Sequence, residues 1–274
     1  MEIFWYGVIF IFGAIVGSFL NVVLYRLHTG KTLGGRSHCM SCLVTLRWYE
    51  LLPVVSYLVQ RGRCRSCSSC IPSRYFFVEI LTGLLYILMW FTFSLSPFLF
   101  VLNAALASLF VLILVYDIAH AIIPDELTYG VFGIASIYLL YGYSVEPDMT
   151  QILSRGFAGV CGALFFFSLW YVSKGRWIGL GDAKLALPLG LIVGGVGTFS
   201  MIVLSFWVGA LISLILLALE RLTKRGKIRL HFLATPLTIK SEVPFAPFLI
   251  LGFLFVHIFH ANIFTITSIF LFGE

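Results

Sequence analysis

Two carboxylates stand in apolar surroundings, Asp117 inside VLILVYDIAHAII and Asp182 inside WIGLGDAKLALPLG. An ionised side chain within a membrane span costs at least about 2.5–3.5 kcal/mol even on lenient insertion scales, so such residues usually serve ions, protons or chemistry. Brought together in a poorly hydrated site, two carboxylates cannot both ionise easily. One holds a proton while the other accepts one, the division of labour by which an acid–base pair activates water and protonates a leaving amine. The reaction this permits is hydrolysis of a peptide bond at the membrane surface. The sequence offers no competing Ser-His-Asp arrangement, zinc-protease motif or phosphate-cradling loop. Structural readings stand beside the chemical one. Asp182 follows Gly179, Leu180 and Gly181 and suits a helix N-cap; Asp117 could be satisfied near an interface, with His120 one turn on. Asp125 and Glu126, after Pro124, suit the start of a helix and could also line a site entrance.

A second constellation is sulfur. Cys39 and Cys42 form one Cys-x2-Cys knuckle and Cys64 and Cys67 another, with 21 residues between the two, close to the spacing of four-thiolate zinc ribbons. Four thiolates leave a metal no open position for water or substrate, so this Zn2+ is structural, and its binding would supply much of the folding free energy of a small insert. The alternative, a pair of disulfides, is disfavoured in a reducing compartment. Cys70 extends the second knuckle and competes as a ligand, whereas Cys161 falls in an apolar run and reads as a small packing residue.

The elements that must position these groups are membrane helices. With 60% hydrophobic and 11% charged residues among 274, and a mean hydropathy of +1.03, there is too little polar surface to cover a soluble globule. Apolar runs long enough to cross about 30 Å of hydrocarbon fall near 3–25, 76–96, 98–117, 127–143, 152–172, 183–198, 199–219 and 245–271. The expected fold is therefore an all-α polytopic membrane protein of about eight transmembrane helices with a zinc-ribbon-like insert. Gly194, Gly195 and Gly197 mark a turn, so 183–219 is either two spans or a single broken element, and seven spans stay open. The expected organisation is a first span over 1–25, a tetra-cysteine module over 26–75, and a bundle over 76–274 carrying both aspartates.

With eight spans and an external N-terminus, 17 of the 18 cationic residues fall on one side and only Arg155 on the other, joined there by Glu2, Glu146, Asp148 and Glu274. Cytoplasmic loops carry the Lys and Arg excess, so the insert and both aspartates are placed on the cytoplasmic side. The net charge of +6 needs no nucleic-acid partner, because basic juxtamembrane loops are attracted to anionic membrane lipids. The apolar start lacks a basic n-region and is followed, not preceded, by Arg26, so it reads as a retained span and not a signal peptide.

Gly179-Leu180-Gly181-Asp182 matches the Gly-x-Gly-Asp pattern of membrane aspartic proteases. The residues from Gly17 to Leu27, the cysteine insert with Leu52 to Tyr57 between its knuckles, Arg74, Tyr75, Val78 and Glu79, Asp117 with Ile123, Pro124 and Asp125, and Val243 to Phe248 complete the pattern in order. Over about 17–250 the chain resembles the type IV prepilin peptidases. That resemblance implies Asp117 and Asp182 as the catalytic pair and Cys39, Cys42, Cys64 and Cys67 as zinc ligands. It also implies a bacterial inner-membrane enzyme that removes the leader of a prepilin or pseudopilin precursor at the cytoplasmic face. Many members then N-methylate the new terminus with S-adenosylmethionine. No glycine fingerprint for that donor is visible, and the methyl-transfer half rests on the resemblance alone. Two departures are Ala246, where the family usually has Gly, and the extra Cys70. Two other classes stay in view: a proton-coupled transporter, which favours a midplane site between repeated halves, and a zinc-ribbon scaffold or assembly protein, in which both aspartates would be dispensable.

Overall fold

A computed structural model describes residues 2–29, 34–222, 244–259 and 262–263. Lys31, residues 223–243 of the expected basic loop, and most of the expected last span after 259 lie outside the described residues. The described chain is all-α: α1 (Glu2–Thr29), a short α2 (Val55–Val59), α3 (Arg74–Phe93), α4 (Pro97–His120), α5 (Asp125–Val145), α6 (Met149–Ser173), α7 (Leu180–Leu222) and α8 (Ala246–Phe259), with a 3-10 turn at Trp48–Leu51. Five of these helices are long and apolar enough to cross a membrane by length and composition, and the chain is a polytopic membrane protein.

Local chemistry sets the helix ends. Pro97 opens α4 and Pro124 immediately precedes α5, positions where a missing N–H is harmless. The Asp148 side chain caps α6 by accepting from the Thr150 N–H at 2.8 Å. At its other end Lys174 adopts a left-handed conformation (φ 54°), and the Gly175 N–H closes on the Trp170 carbonyl at 2.9 Å.

The chain divides into two compact units, residues 1–112 and 113–274. In the first, α1 packs on α3 through glycines: a Cβ on Gly13 would lie 2.9 Å from the Gly83 Cα, and one on Gly17 would lie 2.8 Å from the Glu79 Cα. Tyr86 on α3 meets Ser108 on α4 at 3.0 Å between hydroxyls.

In the second unit, α7 is a hairpin. Gly194 has φ 76° and ψ −174° inside it, a conformation open to glycine because it lacks a Cβ. The Thr198 hydroxyl reaches the Gly190 carbonyl at 3.5 Å, whereas eight residues of straight helix would separate them by about 12 Å. An apolar cavity of about 520 Å³ likewise brings Trp177 and Ile178 beside Gly209, Ala210 and Ser213. The expected break within 183–219 is thus real and sits at Gly194, ahead of the 198/199 boundary; Gly195 and Gly197 are helical. The limbs 180–193 and 195–222 bring the long helical segments of the described residues to eight. Arg155 fixes the reversal by donating to the Ile192 carbonyl at 2.8 Å. The first limb lies against α6 so closely that a Cβ on Gly190 would come within 2.7 Å of the Gly159 Cα, the small-residue contact that lets membrane helices approach without a hydrophobic drive.

Candidate active site and candidate metal centre

Asp117 and Asp182 both belong to the second unit. Asp117 lies one turn before the end of α4 and Asp182 in the first turn of α7, each 5% exposed. They are close enough for the charge of Asp117 to act on Asp182. Each carboxylate has one oxygen held and one left over. The Gly179 N–H donates to Asp182 Oδ2 at 3.2 Å, and the Ala246 N–H, the first of α8, donates to Asp117. Asp117 Oδ2 and Asp182 Oδ1 are buried with no hydrogen-bond partner among the described residues.

The N-cap expectation for Asp182 is not met, because Gly179 holds that position immediately before Leu180. Asp182 stands three residues inside the helix start and reaches back to the amide of Gly179, as the acidic member of a capping box does. That accounts for one oxygen; helix capping leaves the other unexplained. A buried acceptor without a partner costs about 1–3 kcal/mol, and more when charged, so two such oxygens, on carboxylates that feel each other's charge, call for a role.

The surrounding loops pack tightly. A Cβ on Gly181 would press on Ile123 Cβ at 3.0 Å, while one on Gly179 would make only ordinary contact at 3.5 Å with Asp182 Oδ2. Gly181 is thus the residue through which the start of α7 meets the α4–α5 loop. Lys184 Nζ spans the same junction to Asp125 Oδ1 at 2.7 Å, both side chains nearly half exposed. Asp125, expected at a helix start, opens α5 and also binds the helix carrying Asp182. Ala246, where the family usually has Gly, is helical and buried, a setting in which alanine is the better helix former.

The cysteine module lies in the first unit, and the sulfurs of Cys39, Cys42, Cys64 and Cys67 all sit within 4.8 Å of one another. Tetrahedral zinc with Zn–S bonds of about 2.3 Å would set the sulfurs about 3.8 Å apart; Cys39 and Cys67 stand at 3.8 Å. The four residues fit a four-thiolate metal site.

The two knuckles are one hairpin used twice. The Cys39 N–H bonds the Val44 carbonyl at 3.0 Å and the Leu43 N–H returns to the Cys39 carbonyl at 2.9 Å; the Cys64 N–H bonds the Ser69 carbonyl and the Ser68 N–H returns to Cys64, both at 2.9 Å. Leu43 (φ 59°) and Ser68 (φ 57°) take the same left-handed turn position. Antiparallel bridges His38–Thr45 and Arg63–Cys70 flank them. Cys70 consequently occupies the place of Thr45, in the bridge and outside the sulfur cluster. Shifting the sequence by 25 residues against itself carries Cys39, Cys42 and Thr45 onto Cys64, Cys67 and Cys70, the signal that exposes this repeat.

Amides of Cys42 and Ser41, helped by Ser69, pull the Cys39 thiol down to about 6 against the opposing effect of burial. Ser69 likewise lowers Cys67. Cys42 goes the other way, to about 11, because burial and the neighbouring sulfurs of Cys67, Cys39 and Cys64 together outweigh the lowering amide of Val44. Crowded sulfurs that resist joint ionisation are a donor set that a dication would relieve. Cys161, expected to pack, is exposed on α6.

A multi-spanning helical protein with two buried, half-satisfied carboxylates within electrostatic reach of each other falls in a class, the membrane proteins whose buried acids usually serve ions, protons or chemistry. The comparisons narrow the class to a family. Residues 11–93 match the bacterial peptidase A24 N-terminal domain and residues 104–214 match the type IV leader peptidase family. A prepilin leader peptidase/N-methyltransferase of Legionella pneumophila is 31% identical over 90% of this chain and 88% of that protein. The protein of the same name from Bacillus subtilis is 29% identical over 94% and 95% respectively. One from Myxococcus xanthus is 30% identical over 76% of this chain, a match that spans 62% of the relative's length. The chain belongs to the type IV leader peptidase family. No solved structure matches it.

Proposed function

We propose that the chain is an aspartic endopeptidase that removes the leader of a type IV prepilin or pseudopilin at the cytoplasmic face of a bacterial inner membrane. The observation that carries this reading is the pair of orphaned oxygens on Asp117 and Asp182, each on a carboxylate whose other oxygen is tied down by a backbone amide. Tethering fixes the orientation of both groups. The leftover oxygens are where a water and a scissile carbonyl can be bound.

The pair holds one proton between its members. The ionised carboxylate takes a proton from water as it attacks the carbonyl carbon, and the protonated one gives its proton to the carbonyl oxygen; proton transfer to the nitrogen then lets the amine leave. Burial lends this exchange a weakly screened field. Cytoplasmic placement is supported by the distribution of Lys and Arg, since the α4–α5 loop and the start of α7 share the basic side. By the same topology Arg155 and the Gly194 reversal lie on the opposite side.

Cys39, Cys42, Cys64 and Cys67 would hold a structural Zn2+. Bound there, zinc supplies folding free energy and no open coordination position. The names of the relatives include N-methyltransferase, and we extend that activity, with S-adenosylmethionine as donor, to this chain without assigning residues to it. Incubating the purified enzyme with a prepilin and S-adenosylmethionine and weighing the product tests both activities. Release of the leader supports the peptidase and an added methyl group the transferase. An unchanged prepilin mass overturns the peptidase reading, and a cleaved product without the methyl overturns the extension.

A further inference from the structure

The polar insert between α1 and α3 contains a stretch that is neither polar nor covered. Trp48, Leu51, Leu52, Val55, Leu58 and Val59 are 76%, 40%, 42%, 55%, 59% and 64% exposed, and α2 buries none of its residues. In water this would be a costly surface for a small module.

Two contacts fix the depth of that stretch. The Val54 N–H donates to Glu79 Oε2 at 2.7 Å, and the Tyr57 ring stacks on Phe76 with centroids 5.2 Å apart. Phe76 and Glu79 lie on α3, which begins at Arg74 and has 20 residues. At 1.5 Å per residue that helix measures about 30 Å, the full hydrocarbon thickness, so none of it can be spared from the span. Phe76 then sits about 3 Å and Glu79 about 7–8 Å inside the helix start. Whatever touches them is held at the boundary of headgroups and acyl chains. Val54 is kept there at φ 63° and ψ −52°, outside the standard allowed regions and strained for a β-branched residue, a conformation that persists only where neighbours over-determine it.

Charge agrees with depth. Between residues 34 and 73 there are five arginines and a single acid, Glu50. Arg61 and Arg63 follow the apolar stretch directly and are exposed, the order of an interfacial element with an apolar face in lipid and cations among anionic headgroups.

We infer that residues 48–59 of the cysteine module are seated in the inner leaflet as an in-plane membrane element, with Arg61 and Arg63 on anionic lipid headgroups. The module is therefore a membrane-bound platform and not a domain free in the cytoplasm. This inference stands apart from the peptidase reading, because it uses neither aspartate.

The test places p-benzoylphenylalanine at position 58 or 59 of the full chain in nanodiscs of phosphatidylglycerol and phosphatidylcholine. Irradiation is expected to leave a phospholipid mass on the peptide carrying the label. Crosslinks to protein alone, or none, overturn the inference. The second measurement is trypsin cleavage after Arg61 and Arg63. It should be at least about fivefold slower in phosphatidylglycerol than in phosphatidylcholine nanodiscs for each arginine engaged, and Leu58→Glu with Val59→Glu should abolish the difference. Equal rates in the two lipids overturn the headgroup contact.

Discussion

The cysteine module and the aspartate pair solve opposite problems. In the module the backbone bonds are made within each hairpin, Cys39 to Val44 and Cys64 to Ser69, and the four sulfurs converge to within 4.8 Å of one another. At the aspartates the parts come from far apart, with Asp117 on α4, Asp182 on α7 and an amide from α8, and each carboxylate keeps an oxygen unsatisfied. One region is completed so that it stays put. The other is left incomplete, as the proposed chemistry requires.

The comparison breaks first at the carboxylates. Asp117→Asn and Asp182→Asn, made separately, should each lower leader cleavage by at least about 10²–10⁴-fold, the range of a lost acid–base group, with the helical circular dichroism unchanged. Retained cleavage in either variant removes the pair as the engine.

The next largest effect should fall on the sulfurs, and in stability. Cys64→Ser removes the one buried thiol of the cluster. It should eliminate stoichiometric zinc by elemental analysis and open the insert to protease, since structural zinc contributes about 10–16 kcal/mol in small domains. Cys70→Ser should keep full zinc content. Equal zinc in the two variants would mean that the pairing of hairpins does not choose the ligands.

Gly181→Val sharpens the contrast at the site itself. Its Cβ presses on Ile123 at 3.0 Å, and a displacement approaching 1 Å at a catalytic group costs up to about 10²-fold in rate. Gly179→Ala should lose much less, so kcat/KM for the two variants should separate clearly. The smallest effect belongs to Lys184→Met. The Lys184–Asp125 pair is nearly half exposed, so its loss should change thermal stability by only about 0–1 kcal/mol, read as a small shift in Tm.

How much the sequence disclosed follows the same division. The sulfurs were legible because a knuckle is a local object: its ligand spacing and turn lie within seven residues. Asp117 and Asp182 were legible as misfits, since a carboxylate in an apolar run is conspicuous by type alone. Their anchors were not. Nothing in the residues around 246 announces that the first amide of α8 reaches Asp117, because that contact joins segments more than 100 residues apart. The start of α5 could be read from Pro124, whose effect is local. The reversal in α7 was anticipated from three glycines and sits at the first of them; which one was not legible, since of the three only Gly194 has the positive φ, and glycine permits that conformation without requiring it.

Because each hairpin presents its two sulfurs already paired, an arriving ion would meet two preformed pincers instead of four independent thiols. Capture by the first raises the effective concentration of the second, as in any chelate whose arms share a short tether. The tether here is the stretch from Leu43 to Arg63, so its conformation would set how readily the second arm closes and how slowly the ion escapes.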